Sequence, residues 1–363
     1  MHRTPIALFL VAALSPALAQ TTQVSLYGIA DAGVSLDRTG VPGEGYALRV
    51  GSGHLRSSRL GLTGTEDLGG GVRGLFTLEL GFGIDTGEFS RSSTRGAGFN
   101  RRALVGVQGG LGTLALGRDR TPLYQALEAT DNLGFGLYGS LHNSTALTGG
   151  SETAFFRADN ALIYTSPKLA GGLTLRALLG AGSESFGGAL PRRAGRMLAV
   201  GGEYEGGPLT VAAAYQAVAV ANAAGTDTDD RRDAMLGARY DFGGVSVGGG
   251  YEQVDPPGGV RTARQAWLGG SVRAGRGRLM AQVLRTRLSA PAGTEPRSTT
   301  IAIGYTHPLS RRTTAYVSLG RVSNNAAADL GLYASGTEVL PGGGAAARGA
   351  DPRGMAVGVR HAF

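Results

Sequence analysis

Arginine side chains placed among short apolar segments are the residues of this sequence best suited to chemistry on ions. Lysine and arginine together number 35, there are five histidines and no cysteine, and Lys168 is the only lysine. A guanidinium stays ionised at every physiological pH and presents five N–H donors in a rigid fork, which suits anion binding. Four arginines adjoin segments of alternating apolar and polar residues: Arg59, Arg101, Arg118 and Arg157.

The spacing of two of these arginines predicts the face that they occupy. Arg59 alternates with Leu60 and Leu62, and Arg157 alternates with Leu162 and Tyr164. In extended chain such alternation places the arginine opposite the apolar side chains. An arginine in lipid near the bilayer midplane costs about 2–4 kcal/mol, whereas one facing water inside a barrel only tunes selectivity. We therefore expect these guanidiniums to face an aqueous lumen, the alternative being rim residues or ion-paired struts.

Acidic residues occur in the long segment 119–157, which lies between two alternating segments. Its acidic residues include Glu128, Asp131 and Glu152, of which Glu128 and Asp131 are favoured as inward-facing. Loops of this length without their own structure are uncommon unless they are functional. Acids on such a loop facing arginines on a wall would set a transverse field across a narrow wet passage. With a net charge of +8, this arrangement favours anions.

The elements that must hold these charges are short strands. Alternation of period two is clear in 24–35, in 300–306 and in 354–363, and glycine accounts for 63 of 363 residues, which suits many turns. Seven connections are tight, at 66–70, 109–112, 167–172, 205–208, 241–244, 274–277 and 307–312. Eight are longer, at 37–46, 85–98, 119–157, 185–195, 220–231, 255–262, 289–297 and 323–352.

Fifteen connections that alternate between short and long join sixteen strands, with both termini on the short-turn side. This alternation is typical of an antiparallel transmembrane β-barrel with short periplasmic turns and long outer loops. Only a closed sheet satisfies every strand backbone group in lipid without leaving an edge. A soluble β-sandwich or a two-domain β enzyme is the competing fold, but neither accounts for the strict alternation of loop lengths.

The N-terminus carries the features of an export signal. A basic start at Arg3 precedes an apolar run over 6–14 and a small-residue cleavage site, Ala17-Leu18-Ala19. We expect residues 1–19 to be a signal peptide and residues 20–363 to form a single barrel domain. The run is shorter than the roughly 20 apolar residues that a membrane helix needs.

Catalysis and nucleic-acid binding find little support in the sequence. Beyond the predicted signal peptide only four histidines remain, and His142, between Ser140 and Ser144, forms the only local pairing of a base with a nucleophile. No metal-ligand cluster or phosphate-binding glycine loop is visible, so we expect no cofactor, no metal and no enzymatic activity. The arginines are spread along strands rather than clustered with stacking aromatics, which argues against nucleic acid.

Several motifs together resemble the general porins of Gram-negative β-proteobacteria. They run from one end of the predicted mature chain to the other: VSLYGIADAGV at 24–34, SRLGLTGTEDLGGG at 58–71, NR at 100–101, LGR at 116–118, TPLY at 121–124, RADN at 157–160, YTSP at 164–167 and GVRHAF at 358–363. The chain departs from the family at Ile163, where relatives often carry a basic or polar lumen residue.

The resemblance implies a sixteen-stranded trimeric barrel whose third outer loop folds inward, with acids facing an arginine ladder. It further implies that Phe363 is the signal read by the barrel-assembly machinery, and that the partners are outer-membrane lipid, lipopolysaccharide and small hydrophilic solutes. We expect a passive outer-membrane channel that prefers anions. A channel selective for one solute class, such as phosphate or small dicarboxylates, and a purely adhesive barrel are the alternatives.

Overall fold

The computed structural model describes residues 22–89, 91–92, 95–141, 155–182, 191–222, 224–259, 261–289, 293–335, 337–342 and 347–363. The predicted signal peptide at 1–19 lies outside these residues, as do Glu152, His142 and Ser144. Within the described ranges, no helix is long and apolar enough to cross a bilayer.

Sixteen strands make up the wall, and the second strand is in two pieces. Their bounds are β1 Thr22–Arg38, β2 Ala47–Ser52 with Arg59–Gly69, β3 Val72–Gly81, β4 Arg102–Gly109, β5 Gly112–Arg120, β6 Arg157–Thr165, β7 Leu173–Ala181, β8 Arg196–Gly206, β9 Leu209–Ala221, β10 Thr228–Asp241, β11 Val245–Asp255, β12 Ala263–Ala274, β13 Gly277–Leu288, β14 Arg297–Pro308, β15 Thr313–Asn324 and β16 Arg353–Ala362. Helix α1 spans Pro122–Thr130, a 3₁₀ turn spans Pro257–Gly259, and two short hairpins pair Arg91–Ser92 with Arg95–Ala97 and Leu332–Ala334 with Thr337–Val339.

Each strand pairs antiparallel with its neighbours in sequence, and β1 pairs with β16 to close the barrel. The closing register sets Asp31 opposite Arg360 and Val34 opposite Val357. Both pieces of β2 pair with β1, so the interruption at 53–58 is a local excursion within one spanning strand. The predicted sixteen-stranded antiparallel barrel with alternating short and long connections is confirmed.

The two faces of each strand differ as period two requires. On β1, Val24 and Leu26 are each 60% exposed, whereas Asp31 and Ser35 on the other face are buried. The exposed apolar face is the lipid surface, because in a membrane barrel the apolar band points outward. The buried apolar residues form clusters between the inner wall and the segment that follows β5. That segment therefore fills part of the lumen.

Candidate pore constriction

Helix α1 begins the inward loop and packs on the inner face of the wall. The Thr121 hydroxyl caps the helix by accepting from the backbone N–H of Tyr124 at 3.2 Å, and Pro122 opens the first turn. Leu123 and Leu127 of α1 are completely buried in a cluster with wall residues of β9, β10, β12 and β13. The helix runs over β8, β9 and β10, where Pro122 lies against Gly201 and Thr130 lies against Gly237, so it covers the inner wall about a quarter of the way round the barrel from β5.

Asp131 organises the turn that follows α1. Its Oδ2 accepts from the backbone N–H groups of Leu133 and Phe135, at 2.9 and 2.6 Å, and its Oδ1 accepts from Leu141 N–H at 2.9 Å. Gln282 of the wall donates to the same Oδ1 at 3.0 Å. The carboxylate is thus enclosed by donors and is not open to the lumen. The structure places Asp131 as a brace of the loop rather than as a pore-lining charge.

The tip of the loop is tied to β1 and β15. Tyr138 is fully buried and donates from its hydroxyl to Asp37 Oδ1 at 2.5 Å, while its backbone N–H donates to the Ser318 hydroxyl at 3.0 Å. Burial and the neighbouring Asp37 carboxylate raise the pKa of Tyr138 above its ordinary value, so the phenol remains a donor. Gly139 N–H also donates to Tyr333 O at 3.0 Å.

Glycines of the wall make room for the loop. A Cβ added at each of seven inward-facing glycines would come within 2.3–3.0 Å of an atom of residues 122–138, at or below the closest approach of real Cβ atoms. These seats are Gly201, Gly237, Gly248, Gly269, Gly304, Gly320 and Gly354. They lie on seven strands of the wall, so the glycine content serves close packing as well as turns.

The returning end of the loop is held by a buried ion pair on β10. Arg231 is 1% exposed, donates to Asp233 at 3.0 Å and lies 4.0 Å from the centre of the Phe155 ring. Gln216 of β9 donates both to Asp233 at 2.7 Å and to Phe155 O at 3.2 Å. This network gives these charged groups partners within the wall, and it fixes the point at which the chain re-enters β6.

Two of the predicted wall arginines meet around Glu79 of β3. Arg101 donates from Nε to Glu79 Oε1 at 2.7 Å, and Tyr27 donates to Oε2 at 2.9 Å. Arg59 Nη1 lies 4.0 Å from the same carboxylate. Glu79 is on the inner face of β3, because its neighbours Leu78 and Leu80 alternate to the outer face. Arg59 and Arg101 are therefore brought together on the inner wall.

Arg157 joins this group through the aromatic ring of α1. Its Nε donates to Arg101 O at 3.1 Å, and its guanidinium lies 5.5 Å from the centre of the Tyr124 ring. Arg120 lies at the same distance from the same ring. Cation–π contact with one ring lets the two like charges remain near each other.

Three arginines that the sequence argument did not select are the most accessible of this group. Arg56, in the interruption of β2, pairs with Glu128 of α1, and Arg120 reaches the other oxygen of that carboxylate at 3.2 Å. Arg102 binds both oxygens of Asp119, at 2.7 and 2.8 Å. The side chains of all three are 26–28% exposed, against 14% for Arg59 and 11% for Arg101.

The remaining acid of the loop, Glu128, lies between Arg56 and Arg120 and is one-quarter exposed. Burial opposes its ionisation, but the two guanidiniums outweigh burial and hold the pKa of Glu128 below its ordinary value. Glu128 is thus an ionised carboxylate beside Arg56 and Arg120, and its role in lining the pore stays a prediction. The sequence offered one hint of Arg56: it lies in the glycine- and serine-rich segment GSGHLRSSR, at 51–59, which spans the interruption of β2.

Arg118 has partners other than Glu79 and Glu128. It is opposite Ala103 in the register, on the side of Leu116, which is 58% exposed on the outer face. Its guanidinium donates to Asn100 O at 2.6 Å and pairs with Asp159. Asn160, next to Asp159, has a left-handed backbone with φ 52°, which breaks the alternation of β6. The structure therefore places Arg118 in an ion pair with Asp159 next to the segment that carries Arg101, and its place in the pore lining stays a prediction.

Phe363 ends the chain beside β1. Its backbone exchanges hydrogen bonds of 3.1 Å with Gly28 in both directions, and its ring covers Gly28, where a Cβ would come within 2.3 Å of the ring. The side chain is 43% exposed. The role of Phe363 in assembly stays a prediction.

Comparisons with known proteins agree with this architecture. The family model described as "Gram-negative porin" matches residues 7–327. The chain is 34% identical to outer membrane porin protein 32 of Delftia acidovorans and 27% identical to an outer membrane porin protein of Bordetella pertussis, each over the full length of both chains. It is also similar to the solved structure of an anion-selective porin from Comamonas acidovorans, with 30% identity and a TM-score of 0.77 over 94% of this chain and all of that one. The chain belongs to the Gram-negative porin family of outer-membrane β-barrels.

Proposed function

We propose that this porin is a passive diffusion channel whose constriction favours small anions. The observation that carries the proposal is the excess of guanidiniums beside the inward loop. Six arginines gather there with three carboxylates, those of Glu79, Asp119 and Glu128. The arginines are Arg56, Arg59, Arg101, Arg102, Arg120 and Arg157. The similar porin from Comamonas acidovorans is described as anion-selective, which supports the proposal.

The excess positive charge acts on passing ions because the arginines do not lose their protons. Arginine stays protonated at every physiological pH, so three positive charges remain when all three carboxylates are ionised. An ion about 8 Å from three such charges in water interacts by roughly 1.5 kcal/mol before screening, and by about a third of that after screening at one Debye length. Anions are enriched and cations depleted by the same factor, which gives a preference of several-fold without a tight binding site.

Other features of the proposal follow from the family. Residues 1–19 are the export signal, residues 20–363 form one barrel, and three copies assemble as a homotrimer. Lipopolysaccharide surrounds the outer rim, and the exposed Phe363 is read by the assembly machinery. The chain acts without a cofactor and without catalysis, and small hydrophilic solutes pass through it.

Conductance across a planar bilayer tests the channel proposal. An open diffusion channel should give a current that rises linearly with voltage and continues to rise with potassium chloride concentration. Conductance that saturates, or that is blocked by phosphate or a small dicarboxylate, would instead indicate a channel selective for that solute. Absence of conductance from folded, inserted protein would refute the channel and favour an adhesive barrel.

A further inference from the structure

A cluster of arginines lies on the outer face of the β12–β13 hairpin, away from the pore. Arg264, Arg285 and Arg287 are exposed and alternate along their strands with buried, inward-facing residues such as Gln265 and Thr286. They are on the side of Leu268 and Val283, which belong to the apolar outer surface. Their guanidiniums therefore face the lipid boundary and not the lumen.

The register brings like charges directly opposite each other. Arg264 pairs across the strands with Arg287, and Arg285 pairs with Ala266 one step further along the same face. Like charges directly opposite on a sheet face are destabilising unless an anion lies between them. Two acids lie beside them and both have other partners: Glu295 is engaged with Arg297 at 2.9 Å, and Asp255 accepts from Gln253 at 3.0 Å and from Thr262 at 2.8 Å. Among the described residues, none forms an ion pair with these three arginines.

Other outward arginines at the same rim have partners, whereas the positive charge of this cluster is not balanced by an ion pair. Arg321 of β15 binds Asp351 at 3.0 Å. Arg38 and Arg353, which face each other on β1 and β16, both lie over the ring of Tyr46, at 5.8 and 5.3 Å from its centre. The hairpin cluster combines facing arginines with an open groove.

The groove itself has the shape and position of a lipid headgroup site. It encloses about 350 Å³, has the small Ala266 in its floor and is bordered by the half-exposed ring of Tyr251. Both strands run from here into longer connections, at 256–262 and 289–296, which in a porin lie on the outside of the cell. Below the arginines, Leu268 is 65% and Val283 is 43% exposed, which continues the groove into the apolar band.

We propose that this groove binds the phosphorylated headgroup of a glycolipid of the outer leaflet. The facing guanidiniums of Arg264 and Arg287, with Arg285 beside them, offer bidentate donors for phosphate oxygens. The acyl chains lie along Leu268 and Val283. The site deepens the proposed association with lipopolysaccharide and depends on the orientation of the barrel in the outer membrane, but it does not depend on ion selectivity.

Binding of diphosphoryl lipid A to the folded protein in detergent micelles tests the site. The variant R264S/R285S/R287S should bind about tenfold more weakly or worse. The control R276S/R311S/R312S removes the same charge from exposed short turns at the opposite end, and it should bind as the wild type does. Equal affinity of the first variant and the control would overturn the proposal.

Two further arms identify the ligand and keep the test separate from the channel. Lipid A stripped of its phosphates should bind weakly to the wild type, and equal binding of the stripped lipid would refute phosphate recognition. Inorganic phosphate alone should compete poorly, and full displacement at low millimolar concentration would mean a soluble-anion site instead of a lipid site. Conductance of R264S/R285S/R287S should match that of the wild type, which shows that the barrel has folded whatever the binding result.

Discussion

Replacing Gly320 by alanine should push the tip of the inward loop off the wall. The added Cβ would lie 2.7 Å from Tyr138 Cβ and 2.9 Å from Leu332 Cδ1. Carbon atoms in contact settle at about 3.5–4.0 Å, so the two must separate by roughly 0.8–1.3 Å. Tyr138 Cβ is bonded directly to the Cα of the loop, so no side-chain rotation moves it away, and the hydroxyl and backbone N–H of Tyr138 are held by Asp37 and Ser318.

The cost of this overpacking should be about 1–3 kcal/mol of the free energy of unfolding. Because the wall strand is fixed on both sides by its ladder, the loop must yield, and it can move only towards the axis of the pore. We therefore expect Gly320→Ala to lower the single-channel conductance and to increase the current noise.

Trp267 provides the assay for stability. It is the only tryptophan of the chain, is 4% exposed and packs in the cluster that joins the inner wall to the loop. Its fluorescence during urea unfolding in lipid vesicles therefore reports on the unfolding of the barrel with its loop, from a cluster separate from the one that holds Tyr138. The matched control is Gly202→Ala, where a Cβ would meet nothing closer than Leu175 Cδ2 at 3.5 Å. If Gly320→Ala were as stable and as conductive as Gly202→Ala, the argument for glycine seats would fail.

Three substitutions within the loop test its other ties. Tyr138→Phe removes the donor to the Asp37 carboxylate and should lower the free energy of unfolding by about 1.5–3 kcal/mol in the same urea assay. An unchanged free energy of unfolding would show that this hydrogen bond does not stabilise the loop. Asp131→Asn leaves two of four donors without an acceptor, so it should cost about 3 kcal/mol or more and open the channel to larger solutes in a liposome-swelling assay; unchanged swelling would count against the brace. Because the pKa of Glu128 is lowered in the folded protein, its ionised carboxylate stabilises the fold at neutral pH. This stabilisation should be lost as the pH falls below the ordinary pKa of a glutamate, about 4.3, and on through the lowered pKa of Glu128. Glu128→Gln should abolish this pH dependence of the free energy of unfolding.

The barrel could be predicted from the sequence because its cause is local. Period-two alternation and the lengths of the connections report the two faces and the two ends of each strand, and both depend only on near neighbours. Alternation also predicted that Arg59 faces inward, since Leu60 and Leu62 have an unambiguous face. Alternation could not predict which way Arg101 faces, because Arg101 precedes β4 and is not part of a strand.

The details of the constriction depend on contacts between residues far apart in the chain. Asp131 is an acid in a loop, and nothing nearby in sequence indicates that Gln282 and three backbone N–H groups enclose it. The left-handed Asn160 breaks the alternation of β6, so parity could not place Asp159 or its partner Arg118. Glycine content indicated turns, whereas the seats in the wall become visible only when the loop lies on them.

The reversal potential under a tenfold potassium chloride gradient tests the central claim, that guanidiniums at the constriction select anions. The wild type should give an anion-signed potential on the order of 30 mV, about half of the ~59 mV limit for ideal selectivity. The variant R56S/R102S/R120S, which removes the three accessible guanidiniums, should fall to zero or change sign, while R276S/R311S/R312S keeps the wild-type value. A cation-signed wild type, or an equal shift in both variants, would contradict the account.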